Sequence, residues 1–155
     1  MFKEMRRKDR AVEKDEAISF LNECTYGILS TISEDNTPYG VPLSYVYAND
    51  AIYFHCAFSG HKLENIEHNN NVCFTAVAQS DTLIEKFSVQ FRSVIAFGKC
   101  YKVEDKEEKK FALTEILKKY CSENLEAGIA YMNKAVDGTA IYKIIPEHIT
   151  GKMRK

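Results

Sequence analysis

Ser59-Gly60-His61-Lys62 gathers a hydroxyl, an unhindered backbone position, an imidazole and an amine at one point of the chain. The residues before it, Ile52, Tyr53 and Phe54, are β-branched or aromatic and follow the turn signal Asn49-Asp50, which predicts a strand. After it, Leu63 and Ile66 stand three apart among Glu64, Glu67 and Asn69, which predicts a helix. Ser59 is the expected cap, and Gly60 lets the backbone approach a ligand closely. The first N–H groups of a helix have no partner inside it and attract anions. His61 and Lys62 add donors at the same place, so a phosphate is the natural guest. The competing reading is a capped surface helix with both side chains in water. A lysine opposes the helix dipole there, which favours a negative neighbour.

Other reactive side chains are scattered. The five cysteines, Cys24, Cys56, Cys73, Cys100 and Cys121, form no C-x-x-C pair, and the four histidines show no metal spacing. Cys56, Cys73 and Cys100 fall in expected strands, where a thiol packs as a small hydrophobe. The pattern implies a reducing cytoplasm and neither disulfides nor a metal site. His68 and His148 read as surface residues. The net charge is −1, which gives no global field for nucleic acid or an anionic membrane. No apolar run approaches the length of a membrane helix, and no signal peptide is apparent.

These residues need a scaffold. The 155 residues, 45% hydrophobic and 28% charged, suit one domain with a sizeable core. Residues 1–13 read as a polar arm. A helix is expected from about Asp15 to Cys24, with Ala17, Phe20 and Leu21 on its apolar face. Strands are expected over 26–33, 39–47, 51–56, 72–78, 87–103 and 139–145, the last stopped by Pro146, with 149–153 pairing briefly. Residues 79–86 read as polar and irregular. A second amphipathic helix covers 104–122, with Asp105 as cap and Leu113, Ile116, Leu117 and Tyr120 as its stripe, and a shorter one covers 127–134. Gly98 marks a bend or bulge in the long strand. Pro42 inside a strand marks an edge, a bulge or a break facing a ligand. Six strands with short links and single helices predict a mainly β protein, an antiparallel barrel with flanking helices.

The order strand, Pro42-Leu43-Ser44, strand, Tyr53-Phe54-His55, Ser59-Gly60-His61-Lys62, helix, Asn69-Asn70-Asn71, strand resembles the pyridoxamine 5′-phosphate oxidase-like, FMN-binding split-barrel superfamily. Arg7-Lys8-Asp9-Arg10, Gly27-Ile28-Leu29-Ser30, Val41-Pro42-Leu43-Ser44-Tyr45 and the run Ser88–Gly98 resemble its 5-nitroimidazole-resistance (Nim-type) branch. The resemblance spans about residues 5–152. It implies a six-stranded antiparallel FMN-binding split barrel and a homodimer with flavin at the subunit interface. It assigns the FMN phosphate to Gly60, His61 and Lys62. It places Val41, Pro42, Leu43 and Ser44 along the flavin ring, Phe54 and His55 beside the ribityl chain or ring, and Arg92 and Ser93 near the cofactor. His55 matches a histidine of that branch's active site. Its own residues allow either a donor to a reducible substrate or a hydrogen-bonded histidine at a strand end. Two departures set vitamin oxidation aside. His61-Lys62 stands where the vitamin-oxidizing members carry Arg-Lys, and Ile149-Thr150-Gly151-Lys152 replaces their C-terminal Arg and His cluster.

The expectation is therefore a cytoplasmic FMN-dependent oxidoreductase, with FAD as the alternative cofactor, passing electrons to a small acceptor such as a nitroimidazole or other nitroaromatic. The other class considered is a flavin carrier or sensor without turnover of its own. A deazaflavin or heme in the barrel is a further alternative, and a nucleic-acid-binding barrel is opposed by the charge balance. No Gly-x-Gly-x-x-Gly fingerprint identifies an electron donor.

Overall fold

The computed structural model describes residues 2–154. Its strands are β1 (Ala11–Val12), β2 (Gly27–Ile32), β3 (Pro38–Leu43), β4 (Val46–Ala48), β5 (Ala51–Cys56), β6 (Asn71–Leu83), β7 (Ser88–Lys102) and β8 (Ala140–Arg154). The helices are α1 (Lys14–Glu23), α2 (His61–His68), α3 (Lys106–Tyr120) and α4 (Leu125–Ala135). All ladders are antiparallel, in the order β3-β2-β6-β7-β8-β5-β4, with β1 added to β8.

The two edges of this sheet, β3 and β4, are consecutive in the chain and separated only by Ser44 and Tyr45. A sheet whose two edges are joined by so short a link must curl until they meet. No ladder closes them, so the result is a split barrel, mainly β with flanking helices. Eight strands replace the expected six. The run 39–47 divides at Ser44-Tyr45, and two residues of the arm pair with β8. Pro42 sits on edge strand β3, paired with Ile28 on the one side that has a neighbour.

Alternation sorts the side chains. Leu29, Ile52, Phe54, Phe74, Val94, Ala96 and Ile144 point into the barrel, and α1 closes over them with Ala17, Phe20 and Leu21. A second core lies outside the wall. Val46, Ala51, Tyr53 and Ile141 are covered by Ala112 and Ile116 of α3. On the opposite outer wall, Ile32, Val77 and Ile95 remain 36%, 56% and 37% exposed.

Three expectations are corrected. Residues 79–83 continue β6 past a register shift between Val77 and Gln79, because β7 offers a partner along its whole length. Pro146 does not stop the last strand. It lies opposite Gly98 at a register shift, where the ladder is already interrupted and the missing N–H costs little. A Cβ on Gly98 would lie 2.1 Å from the Ile145 carbonyl oxygen, so only glycine fits that bulge. His148 is half-buried rather than a free surface residue. Its ring stacks on Phe2 at 5.0 Å, and its Nε2 is buried without a partner.

The crossover between the edges is pinned. The Tyr45 hydroxyl donates to the Leu21 carbonyl at 2.7 Å. The Tyr120 hydroxyl accepts from the Tyr45 N–H at 3.0 Å and shares its proton between the carbonyls of Thr25 and Tyr45. Asp105 caps α3 as expected, accepting from the Glu108 N–H at 2.7 Å.

Candidate functional site

Helix α2 begins at Gly60, whose φ of 136° and ψ of 163° belong to a region open essentially to glycine alone. Gly60 itself is the N-cap residue, and no side chain caps the helix, so Ser59 does not play the expected role. The Leu63 and Glu64 N–H groups bond back to the Gly60 carbonyl at 2.8 and 3.2 Å. The N–H groups of His61 and Lys62 lie ahead of these and have no helical partner. A Cβ on Gly60 would meet nothing within 4 Å, so the space over the turn is open. Here the backbone and the free space suit an anion.

The two bases diverge. His61 turns toward the β2–β3 connection, where its Nε2 lies 2.9 Å from the Ser33 hydroxyl and its ring sits 4.1 Å from that of Tyr39. Lys62 lies on the side of Cys56, whose thiol burial pushes up while the lysine charge opposes that shift. Two openings flank this turn. One is lined by Ser33, Glu34, Asp35, His61, Glu64 and His68, and its carboxylates repel phosphate. The other, of about 530 Å³, runs from Phe58, Ser59 and Gly60 to Cys100, Tyr101, Lys102 and Tyr142, with Glu64 and Glu67 at its edge. The second has the aromatic walls, while its one lysine, Lys102, is already paired with Glu104 at 3.0 Å.

Strand β3 carries the neighbouring set. Val41 and Leu43 turn inward against the core, while Pro42 and Ser44 face outward. Val46 pairs with Tyr53 at the start of the β4–β5 ladder. The ladder ends there, which leaves Phe54, His55 and Cys56 of β5 without a β4 partner. The split therefore lies between edge strand β3 on one side and β4 with the unpartnered end of β5 on the other. From Tyr39, beside His61, to Leu43 the strand runs roughly 13 Å at the usual rise per residue.

Other expected residues are placed differently. Phe54 is 0% exposed, stacked on Tyr142 inside the barrel, and its side chain has no open surface. His55 points to the outer side, into a cavity beneath α3 and α4. Arg92 is already occupied. It donates to Gln79 at 3.0 Å, pairs with Glu23 at 2.8 Å and lies over the Phe20 ring. Ser93 pairs with Val77 and Lys152. Both residues lie about 25 Å along β7 from the stretch that lines the Gly60 groove, so a single protomer does not bring them to it. Ser33, Tyr39, Tyr101, Lys102 and Tyr142 were not singled out from sequence. Their positions depend on pairing between distant strands, and only Tyr39, two residues before Val41, carried a local hint.

The family model for pyridoxamine 5′-phosphate oxidase matches residues 13–153. The chain belongs to that family. Among solved structures, a protein provisionally described as a 5-nitroimidazole antibiotic resistance protein from Bacteroides thetaiotaomicron is 28% identical, with a TM-score of 0.79 over 92% of this chain and 85% of that one. A FAD-binding protein from Mycobacterium smegmatis is 25% identical, with a TM-score of 0.58 over 94% of this chain and 99% of that one. The flavocytochrome Anf3 from Azotobacter vinelandii shares the fold at 18% identity, with a TM-score of 0.82 over 98% of this chain and 72% of its own. The search of curated proteins found no match. Among the described residues, no group of three or more metal-ligating side chains could hold an ion, and no helix is long and apolar enough to cross a membrane.

Proposed function

We propose that this protein is a flavin-dependent oxidoreductase that binds FMN and reduces a small acceptor, a nitroimidazole or related nitroaromatic being the class to test first. The observation that carries the reading is the Gly60 turn, where open space meets unpartnered helix N–H groups, with Lys62 as the second residue of the helix. The Gly60, His61 and Lys62 backbone and the Lys62 amine hold the phosphate. Pro42, which has no N–H, and Ser44, just past the end of edge strand β3, are exposed and line the ring. When bound, flavin supplies the electron transfer. The chain's own residues supply position and donors toward developing negative charge. The similarity to a FAD-binding protein makes FAD the cofactor to compare with FMN.

The active unit in this reading is a homodimer. The outer wall carrying Ile32, Val77 and Ile95 is the surface offered to the second copy. Arg92 and Ser93 then serve the flavin of the partner subunit. The test is a visible spectrum of the purified protein with mass identification of the released chromophore, followed by titration with FMN and FAD. Flavin absorbance is expected and, with a reduced nicotinamide supplied as the electron donor, nitroaromatic reduction exceeding that of free FMN. A protein that binds neither flavin overturns the reading. Binding without turnover replaces the oxidoreductase with a flavin carrier.

A further inference from the structure

The arm from Phe2 to Arg10 is tied to the barrel at both ends. At one end Ala11 and Val12 of β1 pair with Lys152 and Gly151, and the Arg10 guanidinium lies 6.0 Å from the Phe91 ring. At the other, the Phe2 ring stacks on His148 at 5.0 Å, only 5° from parallel, and lies 5.4 Å from Phe97. Between them, among the described residues, hydrogen bonds and ion pairs stay inside the arm, Arg7 with Asp9 and Lys8 with Glu4. The Phe2 ring is therefore the outer anchor of a strap.

The strap covers a groove on the outer wall. The groove measures about 260 Å³, and Ile32, Pro38, Cys73 and Phe97 line it together with Phe2. Cys73, Phe97 and His148 form one row across β6, β7 and β8, beside the row Thr75, Ile95 and Thr150. Phe2 stays 41% exposed, so its anchor buries little apolar surface, and a small change beneath it is enough for release. Beneath it lies the His148 Nε2, buried and without a hydrogen-bond partner.

A neutral imidazole leaves one ring nitrogen free of hydrogen, whereas an imidazolium carries N–H on both and a positive charge. Such a group under Phe2 loses its hydration with no acceptor in return. The stacked rings give back only part of that loss, as cation–π attraction. Among the described residues, the elements packed on the ring offer Nε2 no carboxylate. β7 meets it with Phe97. In the arm, the Arg7 guanidinium bonded to Asp9 holds that carboxyl at about 2, Glu4 is paired with Lys8, and exposed Lys3 shares the sign of an imidazolium. Glu147 borders the groove and makes no hydrogen bond to Nε2. We propose that the arm is a strap latched by Phe2 over neutral His148 and released by protonation of that histidine, which uncovers the outer-wall groove. The sign follows from linkage. The released form binds the proton better, so release grows as pH falls, by up to about tenfold per pH unit. Opening the groove extends the apolar wall of Ile32, Val77 and Ile95. That this serves a second copy rests on the dimer reading. The latch does not.

The experiment follows the isotope-labelled full chain by NMR from about pH 8 to about pH 5, the range in which histidine changes charge, with sedimentation on the same samples. Cross-relaxation between the Phe2 ring and the rings of His148 and Phe97 is expected at the alkaline end. It is expected to vanish toward the acid end, in step with the change in the His148 ring signals, while contacts across the β7–β8 ladder persist. His148→Phe keeps a ring in the stack and cannot take the proton, so its Phe2 contacts are expected to hold across the range. His148→Gln, whose Phe2–Phe97 contact is likewise expected not to depend on pH, repeats the test should the first variant fold poorly. Phe2 contacts that survive to the acid end, release at the same pH in a folded His148 variant, or loss of the ladder together with the strap would overturn the proposal. Release with unchanged sedimentation leaves the latch assigned and takes the wall away from the second copy. A fixed Phe2 in a chain that self-associates does the reverse.

Discussion

At the scale of single residues, the Gly60 turn concentrates the testable chemistry. Lys62→Ala is expected to weaken flavin binding by about 1–3 kcal/mol, the range for one charge-assisted hydrogen bond, measured by fluorescence titration. Unchanged affinity would move the phosphate elsewhere. Gly60→Ala forces a Cβ into a backbone region that only glycine occupies easily, and a loss of about 1–3 kcal/mol is expected in urea unfolding. The Glu108 carboxylate accepts from the Lys143 amine at 2.7 Å and from the Tyr53 hydroxyl at 2.8 Å. Lys143, with help from Tyr53, holds Glu108 below the usual carboxylate range. Burial and Glu108 push the Tyr53 hydroxyl up to about 12. The signs follow. The Glu108 contribution is present above the ordinary carboxylate value and fades as pH falls through it and below. The Tyr53 contribution is present up to the ordinary tyrosine value of 10 and fades as pH rises from there to about 12. Thermal melts across pH should show both limbs, and Glu108→Gln should flatten the acid limb.

At the scale of elements, two short devices carry much of the architecture. Asp105 satisfies an orphan N–H of α3, and Asp105→Ala is expected to cost about 1 kcal/mol in denaturant unfolding. Gly98 sits against the Ile145 carbonyl at the bulge that also admits Pro146. Gly98→Ala is expected to cost about 3 kcal/mol or more, because the obstructing atom is backbone in the central β7–β8 ladder and cannot rotate away. The same elements show what a local reading catches. Asp105 followed by Glu107 and Glu108 is a cap signal contained in four residues, and Gly98 in a long β-forming run is a bulge signal contained in one. Pro146 gave a local signal too, but the wrong one. Its effect depends on Gly98, nearly fifty residues away, which opens the ladder where the proline sits. The continuation of β6 through residues 79–83 was hidden for a related reason. Polar residues extend a strand when a partner strand satisfies their backbone, and the partner is not visible locally.

At the scale of the whole molecule, the proposed dimer links assembly to cofactor binding. Residues at one end of β7 cannot reach the groove at the other end within one protomer. Flavin affinity should therefore fall on dilution through the dimer dissociation range, read by sedimentation and flavin fluorescence on the same samples. Ile95→Lys, a charge on the exposed outer wall, should shift the protein toward monomer and lower flavin affinity together, while leaving the fold intact by circular dichroism. A monomer that binds flavin as tightly as the parent would separate the two properties.

The class of fold was legible from the residues alone, because alternation, turn residues and single helices are local and few architectures satisfy them. The Gly60–Lys62 turn was legible too, since the junction of strand and helix, its glycine and its bases are contiguous. Which of the named residues share a site depends on how distant segments pack. Phe54 is sealed inside the barrel because its strand face is the inner one. Arg92 spends its charge on Glu23, sixty-nine residues away in the chain. His61 turns to Ser33 and Tyr39, and His55 looks outward under α3 and α4. Each of these outcomes depends on strand pairing and helix packing between segments far apart in sequence, where the energy of contact, and not the pattern of residue types, selects the arrangement.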